Sequence, residues 1–190
     1  HTYGGHMLYI LGLVIFFAVH LIPVVGAKPA LVRRLGEGGY KGLFAVISLV
    51  GFALLIMGWG DFPNVYFYEP PKALKHLNLL LMLPAIFFLT AAYVPNNVRR
   101  KVKNPMLTGV KIWALGHLLA NGDLRSQLLF GSFLVYAVVD VISVKKRGTW
   151  QPKARVKWVW DVACGILALV GYYLIMKYHG HLFGMPVIGG

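Results

Sequence analysis

The chain has 190 residues, of which 58% are hydrophobic and 13% are charged, and its formal net charge is +13. Soluble domains carry roughly 25% charged residues, so this composition excludes an ordinary soluble domain and indicates an integral membrane protein. The positive charge lies in short loops between apolar runs, where membrane insertion accounts for it, and we therefore expect no nucleic-acid partner. The single cysteine, Cys164, excludes an intrachain disulfide and a metal site built from several thiolates.

Six apolar segments predict an all-α fold, a polytopic membrane helical bundle of about six transmembrane helices, because each span needs ~20 mostly apolar residues. Residues 1–6 have the composition of a tag remnant, and residues 7–190 are predicted to form a single transmembrane domain. Residues 28–39 are expected to form a basic, glycine-rich turn and residues 61–71 an irregular segment. The predicted spans are residues 8–27, 40–60, 73–94, 105–120, 124–144 and 156–178.

Signals at both ends define the fourth predicted helix. Pro105 suits the first position of a helix, and Asn121-Gly122 is typical of a helix end. Asp123 follows directly and is expected to cap the fifth helix.

The basic residues predict how the chain lies in the membrane. Loops 28–41, 99–111 and 145–157 hold 15 of the 19 Lys and Arg residues. The positive-inside rule assigns these loops to the cytoplasm, so six spans leave both termini outside the cytoplasm. A re-entrant fourth segment would instead give five spans and break the pattern.

Two histidines within apolar segments, His20 and His117, are the candidate site residues. Counting inwards along each helix puts both about 15–18 Å deep, near the middle of a core ~30 Å thick. Histidine at that depth is costly and indicates function. Two neutral imidazoles can ligate one metal centre, and haem is favoured over zinc because the porphyrin supplies the remaining ligands. The alternative is that each histidine hydrogen-bonds to a neighbouring helix.

Other residues are candidates for supporting roles. Trp113 lies one helical turn before His117, where it can either flank a flat cofactor or pack in the core. Lys111, Arg33 and Arg34 are candidate partners for haem propionates, and Lys111 also suits snorkelling to the interface.

The remaining polar residues of the spans favour structural roles. Asp140 and Asp161 are expected to pair with nearby cations. A second histidine group is expected at the outer boundary, where solvated interface residues are favoured over a surface metal site; its members are His76, His179 and His181.

The stretch PMLTGVKIWALGHLLANGD at residues 105–123 closely resembles the NnrU family, as do residues 128–131 and 143–147. The likeness extends over nearly all of residues 7–190, including the first span with His20, Arg33 and Arg34. It implies a bacterial inner-membrane protein associated with nitrite and nitric oxide metabolism in denitrification. The family is related to the zeta-carotene isomerase, a membrane enzyme that contains haem b, and the proposed haem ligands of that enzyme match His20 and His117.

The resemblance has two departures. Ala114 stands where the isomerase has a cysteine discussed as an alternative ligand. Lys103-Asn104-Pro105 replaces an Arg-His-Pro motif, shared with membrane methyltransferases, that helps to bind S-adenosylmethionine. Three hypotheses remain: a haem-dependent isomerase of an apolar polyene, a non-catalytic haem sensor or electron-transfer component that takes nitric oxide, and a degenerate methyltransferase. Membrane lipid is the expected surrounding in each case.

Overall fold

The computed structural model describes residues 3–148, 150–184 and 187, and six α-helices form within them. The predicted all-α membrane fold is confirmed, because five of the helices are long and apolar enough to cross a membrane. The remaining helix, Pro105–Ala120, is shorter, with 16 residues. A short 3-10 helix spans Val98–Arg100. The α-helices are α1 (Tyr3–Leu21), α2 (Lys28–Trp59), α3 (Lys72–Tyr93), α4 (Pro105–Ala120), α5 (Leu124–Arg147) and α6 (Trp158–Phe183).

Two predictions concern the start of the chain, the tag remnant at residues 1–6 and the basic turn at residues 28–39. His1 and Thr2 of the expected tag remnant lie outside the described residues, and α1 includes the rest of it. The expected basic turn at 28–39 is wrong, because α2 already begins at Lys28 and only Gly36 inside it is non-helical, with φ 72°. A proline in the first turn favours this early start. Glu37 supports the following turn through an ion pair of 3.2 Å with Lys41.

The described residues cluster into two compact units, and the prediction of a single domain stays a prediction. The first unit contains α1, α2 and α5 with the irregular segment that precedes Pro70. Its core consists of Tyr9, Leu13 and Leu55, which are buried. Helices α1 and α2 approach closely because glycines replace larger residues at their contact: a Cβ on Gly51 would lie 2.8 Å from the Phe16 backbone nitrogen.

The irregular segment is fastened to the start of α5 within this first unit. Tyr66 and Asp123 form an isolated antiparallel bridge, and the Leu124 amide donates to the Val65 carbonyl at 2.8 Å. The Asp123 carboxylate accepts from the Ser126 amide at 3.1 Å, so the predicted cap of the fifth helix is confirmed.

The second unit contains α3, α4 and α6. Helix α4 begins at Pro105 and ends at Ala120, as the sequence predicts. It packs against α3 through small residues: a Cβ on Gly109 would lie 2.9 Å from the Ala85 carbonyl oxygen. Helix α6 runs past the predicted end at residue 178 as far as Phe183, so it includes His179 and His181.

Much of the helix surface is apolar, as lipid contact requires. On α6 alone, Val159, Ile166 and Leu169 are between 53% and 62% exposed. Exposed apolar side chains on helices of this length suit a hydrocarbon surrounding, in which burial of a hydrophobic face gives no driving force for association.

Candidate metal-binding histidines

His20 lies in the last turn of α1, in the first unit. Its Nδ1 atom is 2.6 Å from the Phe16 carbonyl oxygen, one turn earlier on the same helix. A carbonyl oxygen can only accept, so this hydrogen bond requires the proton on Nδ1. The neutral ring therefore carries its lone pair on Nε2, which is the tautomer that can ligate a metal.

Aromatic side chains surround the His20 ring. Phe16 stacks on it at 4.1 Å between ring centroids, and two further rings meet it edge-on, Phe44 at 5.0 Å and Tyr136 at 5.5 Å. These three rings come from α1, α2 and α5, so every helix of the first unit contributes to the surroundings of His20. The half-buried imidazole is thus packed among aromatic rings.

His117 has the same local geometry in the second unit. Its Nδ1 atom is 2.9 Å from the Trp113 carbonyl oxygen, again one turn earlier on its own helix. The same reasoning assigns the proton to Nδ1 and the lone pair to Nε2. The Trp113 ring lies 5.3 Å from the imidazole at an interplanar angle of 50°, so the structure brings these two predicted site residues together.

His179 lies beside His117, which the sequence analysis did not anticipate. The two ring centroids are 6.4 Å apart and the rings are nearly parallel, at 18°. The disfavoured alternative, a surface metal site of His76, His179 and His181, is not found among the described residues: His76 is exposed at the start of α3, and His181 contacts Tyr178. Within the described residues, no three His, Cys, Asp or Glu side chains are grouped closely enough to hold a metal ion.

The residues predicted to hold haem propionates are placed as follows. Arg33 and Arg34 are exposed on α2, before its interruption at Gly36. Lys111 is half-buried on α4, two residues before Trp113. Arg33 and Arg34 belong to the first unit with His20, and Lys111 belongs to the second unit with His117. Their role towards a propionate stays a prediction.

The two aspartates have partners, only one of which is the expected kind. Asp140 lies 3.8 Å from the Arg147 guanidinium, so its predicted pairing with a nearby cation is confirmed. Asp161 instead accepts from the backbone and side-chain nitrogens of Asn97, at 2.7 and 2.6 Å. The partner of Asp161 is therefore an amide and not the expected cation, because the turn before α4 brings Asn97 to the start of α6.

A buried polar cluster in the first unit was also missed. Arg125 lies 3.6 Å from Asp123, donates to the Trp59 carbonyl at 2.9 Å and covers the Trp59 ring at 4.8 Å. Tyr9, fully buried, donates to the Arg125 carbonyl at 2.5 Å. The available signal was the charge pattern, since Arg125 is one of only four basic residues outside the three cation-rich loops.

Haem suits this donor set better than a bare ion does. Haem takes one or two axial side chains from the protein and obtains its other ligands from the porphyrin. In each histidine the ring nitrogen that carries the lone pair is Nε2, and aromatic rings flank the imidazole. A structural zinc ion takes four side-chain ligands, and neither histidine stands in a group of that kind among the described residues.

Residues 8–187 match the family model described as NnrU protein. No curated protein matches the chain, and no solved structure matches it either.

Proposed function

Because this chain belongs to the NnrU family, and because two of its helices carry histidines in a metal-ligating tautomer, we propose that it is a multi-pass membrane protein that binds b-type haem. His20 and His117 are the candidate axial ligands. The observation that carries the proposal is the hydrogen bond from each Nδ1 atom to the carbonyl one turn earlier, at 2.6 and 2.9 Å.

The surroundings of each histidine support the same ligand. A porphyrin is flat and apolar over most of its area, and aromatic rings flank both imidazoles. The hydrogen bond to a backbone carbonyl also holds the ring in a fixed orientation and raises the basicity of the other nitrogen, as second-shell partners of ligating histidines do. Lys111, Arg33 and Arg34 remain the candidate partners for the propionates.

Two activities are consistent with a bound haem, and we favour the first. The resemblance to the zeta-carotene isomerase points to cis–trans isomerisation of an apolar polyene, for which haem would supply an iron centre that can polarise a double bond. Residues of this chain would bind and orient the polyene in an apolar site. The second activity is sensing nitric oxide or transferring electrons in nitrogen-oxide metabolism. Methyl transfer is not proposed, because Lys103-Asn104-Pro105 lacks the histidine of the related motif.

Purification after expression with added haem precursor tests haem binding directly. We expect Soret and alpha bands and a pyridine haemochrome of the b type. His20→Ala and His117→Ala should each lose haem or change its spin state, while His76→Ala, a control at an exposed position, should leave the spectrum unchanged. A colourless protein, or unchanged spectra in both ligand variants, would overturn the proposal.

Turnover separates the two activities once haem is present. Incubation of the reduced protein with a cis isomer of zeta-carotene should convert a cis double bond to trans if the chain is an isomerase. Tight nitric oxide binding without any isomerisation would instead favour the sensor.

A further inference from the structure

A basic cavity at the start of α6 is separate from both histidines. It is open to the surface, has a volume of about 830 Å³ and lies in the second unit, between the turn that precedes α4 and the segment that leads into α6. The residues of its lining that matter here are Asn97, Arg100, Arg155, Lys157, Trp158 and Asp161.

One side chain, Asn97, fixes the wall of this cavity. Its backbone and side-chain nitrogens donate to the two oxygens of Asp161, at 2.7 and 2.6 Å. Its amide group also bonds Val156 in both directions, to the carbonyl at 3.0 Å and from the backbone nitrogen at 3.0 Å. These four hydrogen bonds hold the segment before α6 against the turn before α4, and Arg155 and Lys157 of that segment line the cavity.

The charge of the lining favours an anion. Three lining residues are cations, Arg100, Arg155 and Lys157, and one, Asp161, is an anion. The carboxylate already accepts two hydrogen bonds from Asn97, whereas within the described residues no salt bridge neutralises any of the three cations. Arginine and lysine donors on one concave surface match the oxygens of a phosphate group.

The place of the cavity in the chain indicates the source of that phosphate. Its cations belong to two of the basic loops that the positive-inside rule assigns to the cytoplasm, where the leaflet carries anionic lipid. Trp158, which is 73% exposed, begins a helix of membrane-spanning length and suits the headgroup level. Beyond it, Val162, Ile166 and Leu169 form an exposed apolar strip along α6 that can contact acyl chains.

We propose that this cavity binds the phosphate headgroup of an anionic phospholipid, with its acyl chains along the exposed strip of α6. Basic pockets beside membrane helices bind such headgroups in general. The proposal does not depend on haem binding.

Lipid titration of the purified full-length protein in a neutral detergent tests this site, with bound lipid counted by native mass spectrometry. Phosphatidylglycerol should bind the parent protein, and phosphatidylcholine should bind at least about tenfold more weakly, since each cation near an anionic headgroup adds about a factor of five. Inorganic phosphate at the same concentration should not displace the lipid.

Variants locate the binding. Arg100→Gln, Arg155→Gln and Lys157→Gln together should weaken phosphatidylglycerol binding at least about tenfold. The control removes the same charge from exposed positions of α2 and of the last turn of α5, through Lys41→Gln, Lys145→Gln and Lys146→Gln, and should retain parental affinity. Arg155→Gln alone, at an exposed site, should show a partial loss if the triple variant does not fold.

Three results would overturn the proposal. Equal binding to the parent and to the cavity variants would show that these residues form no site. An equal loss in the control would show unspecific attraction between a basic protein and an acidic lipid. Displacement of the lipid by inorganic phosphate would show a site for a soluble anion.

Discussion

At the scale of single residues, the two candidate ligands share a hydrogen bond within their own helix that does not depend on the other helices. Each imidazole is tethered through Nδ1 to a carbonyl of its own helix, four residues earlier. The helix therefore sets both the tautomer and the ring direction before any packing partner is added. A histidine that is tethered this way in hydrocarbon has its polar Nδ1–H satisfied, which lowers the cost of placing it there.

Asp123 is the residue whose removal should most clearly weaken the first unit. Its carboxylate caps α5 through the Ser126 amide and neutralises Arg125. Asp123→Ala removes both, and we expect a loss of about 1–3 kcal/mol in the free energy of unfolding. Asp123→Asn keeps a capping oxygen but removes the charge, so its loss should be intermediate.

Thermal unfolding of the purified variants in detergent measures this order. Glu69→Ala, which removes a carboxylate from an exposed position of the irregular segment, serves as the control and should unfold at the parental temperature. Equal midpoints for Asp123→Ala and the parent would contradict the role of this cap.

At the scale of elements, close helix contact in the first unit depends on glycine. Gly58 and Gly42 both belong to α2. A Cβ on Gly58 would collide with the backbone of Tyr9 in α1, whereas nothing lies within 4 Å of a Cβ on Gly42. Backbone atoms cannot turn aside as a flexible side chain can. The spacing of α1 and α2 is thus fixed at this contact.

Alanine substitutions at these two glycines should have different effects on stability. Gly58→Ala should destabilise the protein by about 1–3 kcal/mol through overpacking. Gly42→Ala should be neutral or stabilise α2 by about 0.5–1 kcal/mol, because alanine has the higher helix propensity. Unfolding midpoints of both variants in one detergent measure the contrast, and a Gly58→Ala protein as stable as the parent would refute the contact.

The helix ends show what the sequence could and could not predict. The ends of α4 and the cap of α5 followed from local signals, since Pro105, Asn121-Gly122 and Asp123 act through their own backbone. The end of α6 did not, because the polar run after Lys177 suggested that the apolar span had finished. A helix continues through polar residues if its backbone bonds are made, and this one ends at Gly184, whose φ of 75° suits a left-handed cap.

That error in a helix end also hid part of the candidate site. With the sixth span ending at residue 178, His179 counted as an interface residue rather than as a neighbour of His117. The turn of α6 that extends beyond this residue places the two rings 6.4 Å apart. Contacts between distant parts of the chain, such as this one and the pairing of Asn97 with Asp161, depend on packing that hydropathy and spacing do not encode.

At the scale of the whole molecule, the question is how α4 lies in the membrane. Its 16 residues give a length of about 24 Å, which is short of a hydrocarbon core of ~30 Å. A span of this length is accommodated by local thinning of the bilayer or by its flanking residues. The three cation-rich segments, residues 28–41, 99–111 and 145–157, favour a full crossing by α4, because six crossings put all three on one face of the membrane and a re-entrant α4 does not.

Cysteine labelling distinguishes a crossing from a re-entrant segment, and the native Cys164 does not interfere because it is buried. Asn64→Cys should react with a membrane-impermeant maleimide in spheroplasts. Lys101→Cys and Gln151→Cys should react only after permeabilisation, since six crossings place both in the cytoplasm. If α4 only enters and leaves on one side, Gln151→Cys will react from outside while Lys101→Cys stays protected. That pattern would place the basic cavity residues Arg100 and Arg155 on opposite faces of the membrane, so the topology and the lipid site stand or fall on the same measurement.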